Sequence, residues 1–212
     1  MHVKRFIISL LFVCWAASAG ALKVEELFIK MPDNLIIQLE EAWRKDIVDL
    51  YRAGKPATLE NTMQGRSTLL NLTDDYMLLQ VTERTTVELK CLPLVNNTHV
   101  ICMITTVFAP VADSRIDVYT TEWQPLSAES LYTPVNTDSF WREDVDSLSP
   151  AFIDAKAFLD MCLIKYSLSA DNTTLTAEYM TPQYLDSESR KKVEPLLKAV
   201  PKVYEWKFNR FE

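Results

Sequence analysis

The chain has 212 residues, with 22 Lys plus Arg against 29 Asp plus Glu and 48% hydrophobic residues, so its formal net charge is −7. That balance describes a folded globular chain with enough apolar residues for a core. Its scarcities exclude more: Gly20, Gly54 and Gly65 write no phosphate-cradling loop or dinucleotide fingerprint, and His2 and His99 make no multi-histidine metal site. No metal and no cofactor is expected, and a histidine-based nucleophile triad would rest on His99 alone.

At the N-terminus, residues 1–5 are basic, Phe6 to Ala16 is an apolar run, and Ala17-Ser18-Ala19 supplies small residues. That order predicts a signal peptide over residues 1–19, with cleavage at 19/20 or 21/22, and a periplasmic or secreted product. Roughly 11–13 apolar residues are too few to span a hydrocarbon core, and no later stretch is longer, so no transmembrane segment is expected. Losing Lys4 and Arg5 leaves 20 basic against 29 acidic residues, a net charge of −9. The densest basic cluster, Arg190-Lys191-Lys192, is followed by Glu194. Nucleic acid and anionic membrane surfaces are therefore poor partners.

Leu35, Ile36, Leu39, Trp43, Ile47, Leu50 and Tyr51 recur at helical spacing and predict a helix over 32–53, or two short helices broken near Ala42–Lys45, with Pro32 in the first turn and Gly54 as the stop. From Ser67 to Gln124 the period changes to two, giving strands at 67–72, 75–83, 85–95, 99–108 and 115–124. Their short connections, Thr73-Asp74-Asp75, Asn96-Asn97 and Ala109 to Ser114, require antiparallel hairpins. Val87, Leu89 and Cys91 alternate with Glu88 and Lys90, as in a sheet with one buried face. If Asn96-Asn97 is a two-residue turn, Cys91 opposes Cys102 on that face, either as a disulfide or as two buried thiols.

Residues 123–142 lose periodicity and form a long connection. A helix over 150–160, strands at 163–169 and 173–180, a helix over 186–198 and a closing strand at about 202–210 follow. The fold class is α+β: a largely antiparallel β-meander sheet packed against an N-terminal helical segment and two later helices. Residues 22–212 form a single α+β domain, with 22–126 and 138–212 as sub-modules joined by an ordered connection.

Four strings, Met31-Pro32-Asp33-Asn34-Leu35, Leu72-Thr73-Asp74-Asp75-Tyr76, Glu122-Trp123-Gln124-Pro125-Leu126 and Tyr204-Glu205-Trp206-Lys207, resemble an uncharacterised domain-of-unknown-function family of secreted proteins from Bacteroidetes-type bacteria. The resemblance spans essentially the whole chain after the leader. It implies extracytoplasmic placement and a shared architecture, and it assigns no activity and no catalytic residue. Asp146-Ser147-Leu148 resembles the short pattern at which such bacteria O-glycosylate exported proteins, which makes Ser147 an acceptor candidate.

Catalytic signatures are sparse. Asp74-Asp75 sits in turn chemistry, and Asp144-x-Asp146 lacks the glycine and distal glutamate of a calcium loop. No Gly-x-Ser-x-Gly elbow exists, and Cys162 in its apolar run reads as a buried packing thiol. Trp123, Tyr132, Phe140 and Trp141 either pin the long connection to the body or form a contact platform, since aromatic side chains give large area at low rotamer cost. The leading expectation is an extracytoplasmic non-enzymatic binding protein whose partner is a protein, peptide or glycan of the cell envelope. The alternative is a cell-envelope hydrolase using a carboxylate pair.

Overall fold

A computed structural model describes residues 22–212; the leader and both cleavage positions lie outside the described residues. The fold is α+β with antiparallel sheets, built around a seven-stranded meander in simple chain order. Its strands are β1 (Thr58–Glu60), β2 (Arg66–Leu72), β3 (Tyr76–Thr82), β4 (Thr85–Pro93), β5 (His99–Phe108), β6 (Ala112–Thr120) and β7 (Pro125–Leu126). The long strands follow the period-two reading; β1 and β7 are too short to carry a period.

The N-terminal helical segment is two helices, α1 (Val24–Ile29) and α2 (Glu41–Arg52), rather than one helix from residue 32. Arg44 explains the late start. Its guanidinium, 1% exposed, takes the carbonyls of Ile29, Met31 and Leu39, the last at 2.6 Å, and pairs with Asp33 at 2.8 Å. Carbonyls gathered onto one guanidinium hold the 31–39 segment as turns instead of a helical ladder. The far end stops where expected: Gly54 adopts φ +66°, and the N–H groups of Gly54 and Lys55 return to Tyr51 and Leu50 in a Schellman closure.

Both faces of the meander are buried. Leu79, Val87, Leu89, Cys91, Ile101 and Met103 pack under α1 and α2, while Leu92, Val100, Cys102, Ile104, Ile116 and Val118 face the C-terminal half. Glu88 and Lys90 were expected to point into solvent; both are buried between layers, Lys90 at 1% exposure with Asp75 2.9 Å away.

The pairing of Cys91 with Cys102 is corrected. Leu94 N–H binds Thr98 O and Asn97, at φ 63°, closes a three-residue loop, so Cys91 pairs with Ile101 and Lys90 with Cys102. A shift of one residue sends a side chain to the other face. The two thiols are free and lie in different cores. The same loop design joins β1 to β2 and β6 to β7, with Gln64 (φ 61°) and Trp123 (φ 61°) in the left-handed position.

The C-terminal half carries a second antiparallel sheet in the order β11-β10-β9-β8: β8 (Ile164–Leu168), β9 (Thr174–Tyr179), β10 (Lys202–Lys207) and β11 (Arg210–Phe211). The expected closing strand is thus a hairpin, turning at Phe208-Asn209. Helices α3 (Pro150–Ala157) and α5 (Ser187–Val193) pack together, with the single turn α4 (Thr181–Tyr184) ahead of α5. Ser149 caps α3 by accepting from Phe152 N–H at 3.2 Å, and Asp186 caps α5 by accepting from Glu188 and Ser189.

The two sheets meet edge on face. Strand β8 crosses β6, β5 and β4 in turn. Its outward N–H groups find side chains: Ile164 N–H binds Asp113 Oδ1 at 3.1 Å, Tyr166 N–H binds Ser114 Oγ at 3.0 Å, and Leu168 N–H binds Glu88 Oε2 at 2.8 Å. An edge strand laid over an apolar surface would otherwise bury three unpaired donors.

Candidate functional site

The four aromatic residues expected to form a contact platform are all buried and lie on both faces of the meander. Trp123 belongs to the N-terminal core, where its indole N–H donates to Leu27 O at 3.1 Å and its ring sits 5.4 Å from Tyr119. Tyr132 meets Tyr166 edge-on at 5.8 Å, and Trp141 packs on Phe152 at 4.6 Å. They pin the connection, because a ring gains more from burial than from a wet surface. A shared platform of the four does not exist.

Phe140 keeps a second role. Stacked on Tyr179 at 4.7 Å and 7°, it forms part of the wall of a cleft of about 370 Å³. Leu197, Val200, Pro201 and Pro182 complete the apolar lining, and Glu178, Glu194 and Lys198 stand on the rim. A second hollow of about 410 Å³ shares Phe140, Lys198, Val200 and Pro201 and adds Ser139 and Lys202. The segment 198–201 therefore stands between two hollows, anchored by Lys198 N–H on Phe140 O at 2.8 Å and by Lys198 Nζ on Ser139 O at 3.2 Å.

The charges of the second hollow are one-sided. Lys198 and Lys202 border it and no carboxylate does. Lys202 Nζ lies over the Tyr204 ring at 4.5 Å, and among the described residues neither lysine has a carboxylate partner within salt-bridge distance. Two unneutralised ammonium groups over a Phe, Val and Pro floor suit an anionic group beside an apolar one.

Elsewhere, Asp75 is committed to Lys90 and receives the Thr73 hydroxyl at 3.0 Å, so the Asp74-Asp75 pair is turn and junction chemistry. Arg142 and Asp144 pair with each other on the surface at 2.5 Å. Cys162 is exposed, not buried, and no group of three metal-ligating side chains forms among the described residues. Ser147 is exposed in the turn before α3, where Asp146 accepts from Leu148 N–H at 2.9 Å. No helix among the described residues is long and apolar enough to cross a membrane.

The sequence profile of a family described as "Protein of unknown function (DUF3256)" matches residues 16–211, nearly the whole chain. The chain belongs to the DUF3256 family. A solved structure similar to this DUF3256 protein is described as a domain of an uncharacterized protein from Porphyromonas gingivalis W83. It is 31% identical, with a TM-score of 0.81, and the match covers 89% of this chain and 98% of that one. No curated protein matches the chain at a significant level. Sequence reasoning named Phe140 but missed Tyr179, Lys198 and Lys202. No local pattern marks these DUF3256 residues, because only the packing of residues 139–140 against 197–202 brings them together.

Proposed function

We propose that the protein is an extracytoplasmic, non-enzymatic binding protein, and that its partner presents a peptide segment to the paired hollows beside Phe140. The observation that carries this reading is the hollow bordered by Lys198 and Lys202. It pairs an apolar floor with uncompensated positive charge on a chain whose net charge is −7. A carboxylate from a peptide side chain or terminus, next to an apolar residue, matches both halves of that surface.

Selection from a displayed random-peptide library tests the reading. Enriched peptides are expected to carry a carboxylate beside an apolar residue. They should lose affinity by about tenfold or more, roughly 1.4 kcal/mol, on the double change Lys198→Glu and Lys202→Glu. Failure to enrich, or enrichment indifferent to the double charge reversal, would sink it.

The hydrolase alternative draws on Glu178 and Glu194, which border the cleft of about 370 Å³. Glu178 lies 3.7 Å from Lys165, and no hydrogen bond joins the two carboxylates among the described residues. Glycoside turnover that fell in both Glu178→Gln and Glu194→Gln would replace the binding reading with this one.

A further inference from the structure

The ridge of residues 198–201 divides two hollows that differ in the sign of their charge. The hollow of about 410 Å³ is bordered by Lys198 and Lys202 and by no carboxylate. Across the ridge, the cleft of about 370 Å³ carries Glu178 and Glu194, with Lys198 as its one basic lining residue. Phe140, Val200 and Pro201 line both, so the same apolar surface faces the acidic side and the basic side.

Glu194 is the carboxylate without a partner. It is exposed at the start of a single 3₁₀ turn, and among the described residues its side chain makes no ion pair and no hydrogen bond. Arg190, four residues earlier, does not neutralise it: its guanidinium donates to the carbonyls of Pro182, Gln183 and Leu185. Lys198 is drawn the other way, its Nζ donating at 3.2 Å to the carbonyl of Ser139, a residue of the basic hollow. Glu178, by contrast, shares its charge with Lys165 at 3.7 Å.

Unpaired charges of opposite sign on two sides of one apolar surface discriminate among ligands that carry a carboxylate. A polyacidic peptide satisfies the lysines but meets Glu194 as a like charge, on a chain whose net charge is already −7. A phosphate-rich polymer meets the same repulsion. A segment with a cation at one end and a carboxylate at the other satisfies both sides. Either hollow is near the small end of ligand pockets, roughly 300–1,000 Å³, which suits side chains of an extended segment rather than a folded surface. With one 3₁₀ turn between them, Glu194 and Lys202 lie no more than about 24 Å apart along the chain. About seven extended residues reach that far.

Given the peptide-binding reading of these hollows, on which this step rests, we infer that they form one dipolar site. Its ligand is a peptide segment of about seven residues or fewer. A lysine or arginine sits at Glu194, a carboxylate at Lys198 and Lys202, and an apolar residue lies against Phe140 between them.

The test selects a displayed random-heptapeptide library on the full chain and, in parallel, on Glu194→Lys. Wild-type selections are expected to carry a basic and an acidic residue on opposite sides of an apolar one. Glu194→Lys selections should keep the acidic residue and lose the basic one. A wild-type peptide is then titrated against the wild type, Glu194→Lys and Glu83→Lys, the last an exposed carboxylate of the β3–β4 turn that makes the same change in net charge. Glu194→Lys should weaken binding about tenfold or more, and exchanging the peptide's basic residue for glutamate should restore it. Glu83→Lys should change binding less than about twofold, because a distant exposed charge is screened. Restored binding of the exchanged peptide is a result that a misfolded variant would not give. Carboxylate peptides that depend on Lys198 and Lys202 but carry no basic residue, or whose basic residue is indifferent to Glu194→Lys, would overturn the dipolar site and leave the carboxylate reading standing. No enrichment, or enrichment indifferent to the paired Lys198→Glu and Lys202→Glu changes, would overturn both.

Discussion

Glu88 holds a carboxylate where two sheets meet, accepting from Leu168 N–H at 2.8 Å and from the Tyr76 hydroxyl at 3.2 Å. Burial raises its pKa above the ordinary 4.5, while the Leu168 and Tyr76 hydrogen bonds and the more distant Lys165 pull it back. Because the folded state holds the proton more tightly than the unfolded chain, Glu88 contributes stability that is fully present below pH 4.5. That contribution is lost as pH rises through the higher folded value. Glu88→Gln keeps an acceptor for Leu168 and carries no charge. It should flatten this part of the pH dependence and match or exceed the wild type at neutral pH. Glu88→Ala leaves Leu168 N–H unpaired and should cost about 1–3 kcal/mol. Urea unfolding of the three proteins at pH 4.5 and pH 8 checks both statements; a wild type that gains stability from Glu88 with rising pH would contradict them. From sequence, Glu88 reads as a solvent-facing residue, because alternation reports that one face is apolar and is silent on whether the other is covered.

The β4–β5 hairpin shows how much rides on one loop residue. A two-residue turn at Asn96-Asn97 would place Cys91 opposite Cys102; the three-residue loop places them on opposite faces, and burial pushes their thiols up to about 11 and about 12. Of the three cysteines among the described residues, native protein treated with an alkylating reagent should therefore react at Cys162, with Cys91 and Cys102 reacting only after unfolding and no bond joining them. Peptide mapping that found a Cys91–Cys102 disulfide would refute the observed register. The strands between Arg66 and Thr120 were legible because each is long enough to show its period and each neighbour follows closely in the chain. The illegible turns share one cause: in a chain with only three glycines, left-handed positions fall also to Gln64, Asn97, Trp123, Phe208 and Asn209, and three of those five are not residues that ordinarily signal a turn. The β10–β11 turn was missed for that reason. The α2 start was missed because one buried arginine outweighs an apolar stripe, and the cleft because Phe140 meets Lys198 only through tertiary packing.

At the scale of the whole molecule, the export reading makes a single measurement informative twice. The intact mass of protein purified from its native host should correspond to a chain beginning at Gly20 or Leu22, and it should exceed that value by the mass of a glycan if Ser147 is modified. A mass that includes Met1 would end the export reading, and a bare mature mass would end the Ser147 assignment. The edge-on-face junction has its own consequence for how this protein tolerates change. Strand β8 brings only main-chain donors to the junction, whereas the meander brings side-chain acceptors at Asp113, Ser114 and Glu88. Mutational constraint is therefore unequal across the same contact. Positions 164, 166 and 168 keep their hydrogen bonds under any substitution but proline and answer only to volume and apolarity. Positions 88, 113 and 114 must each retain an oxygen at a fixed reach. Homologues are free to repack the upper layer, while the surface it rests on must keep those three acceptors in place.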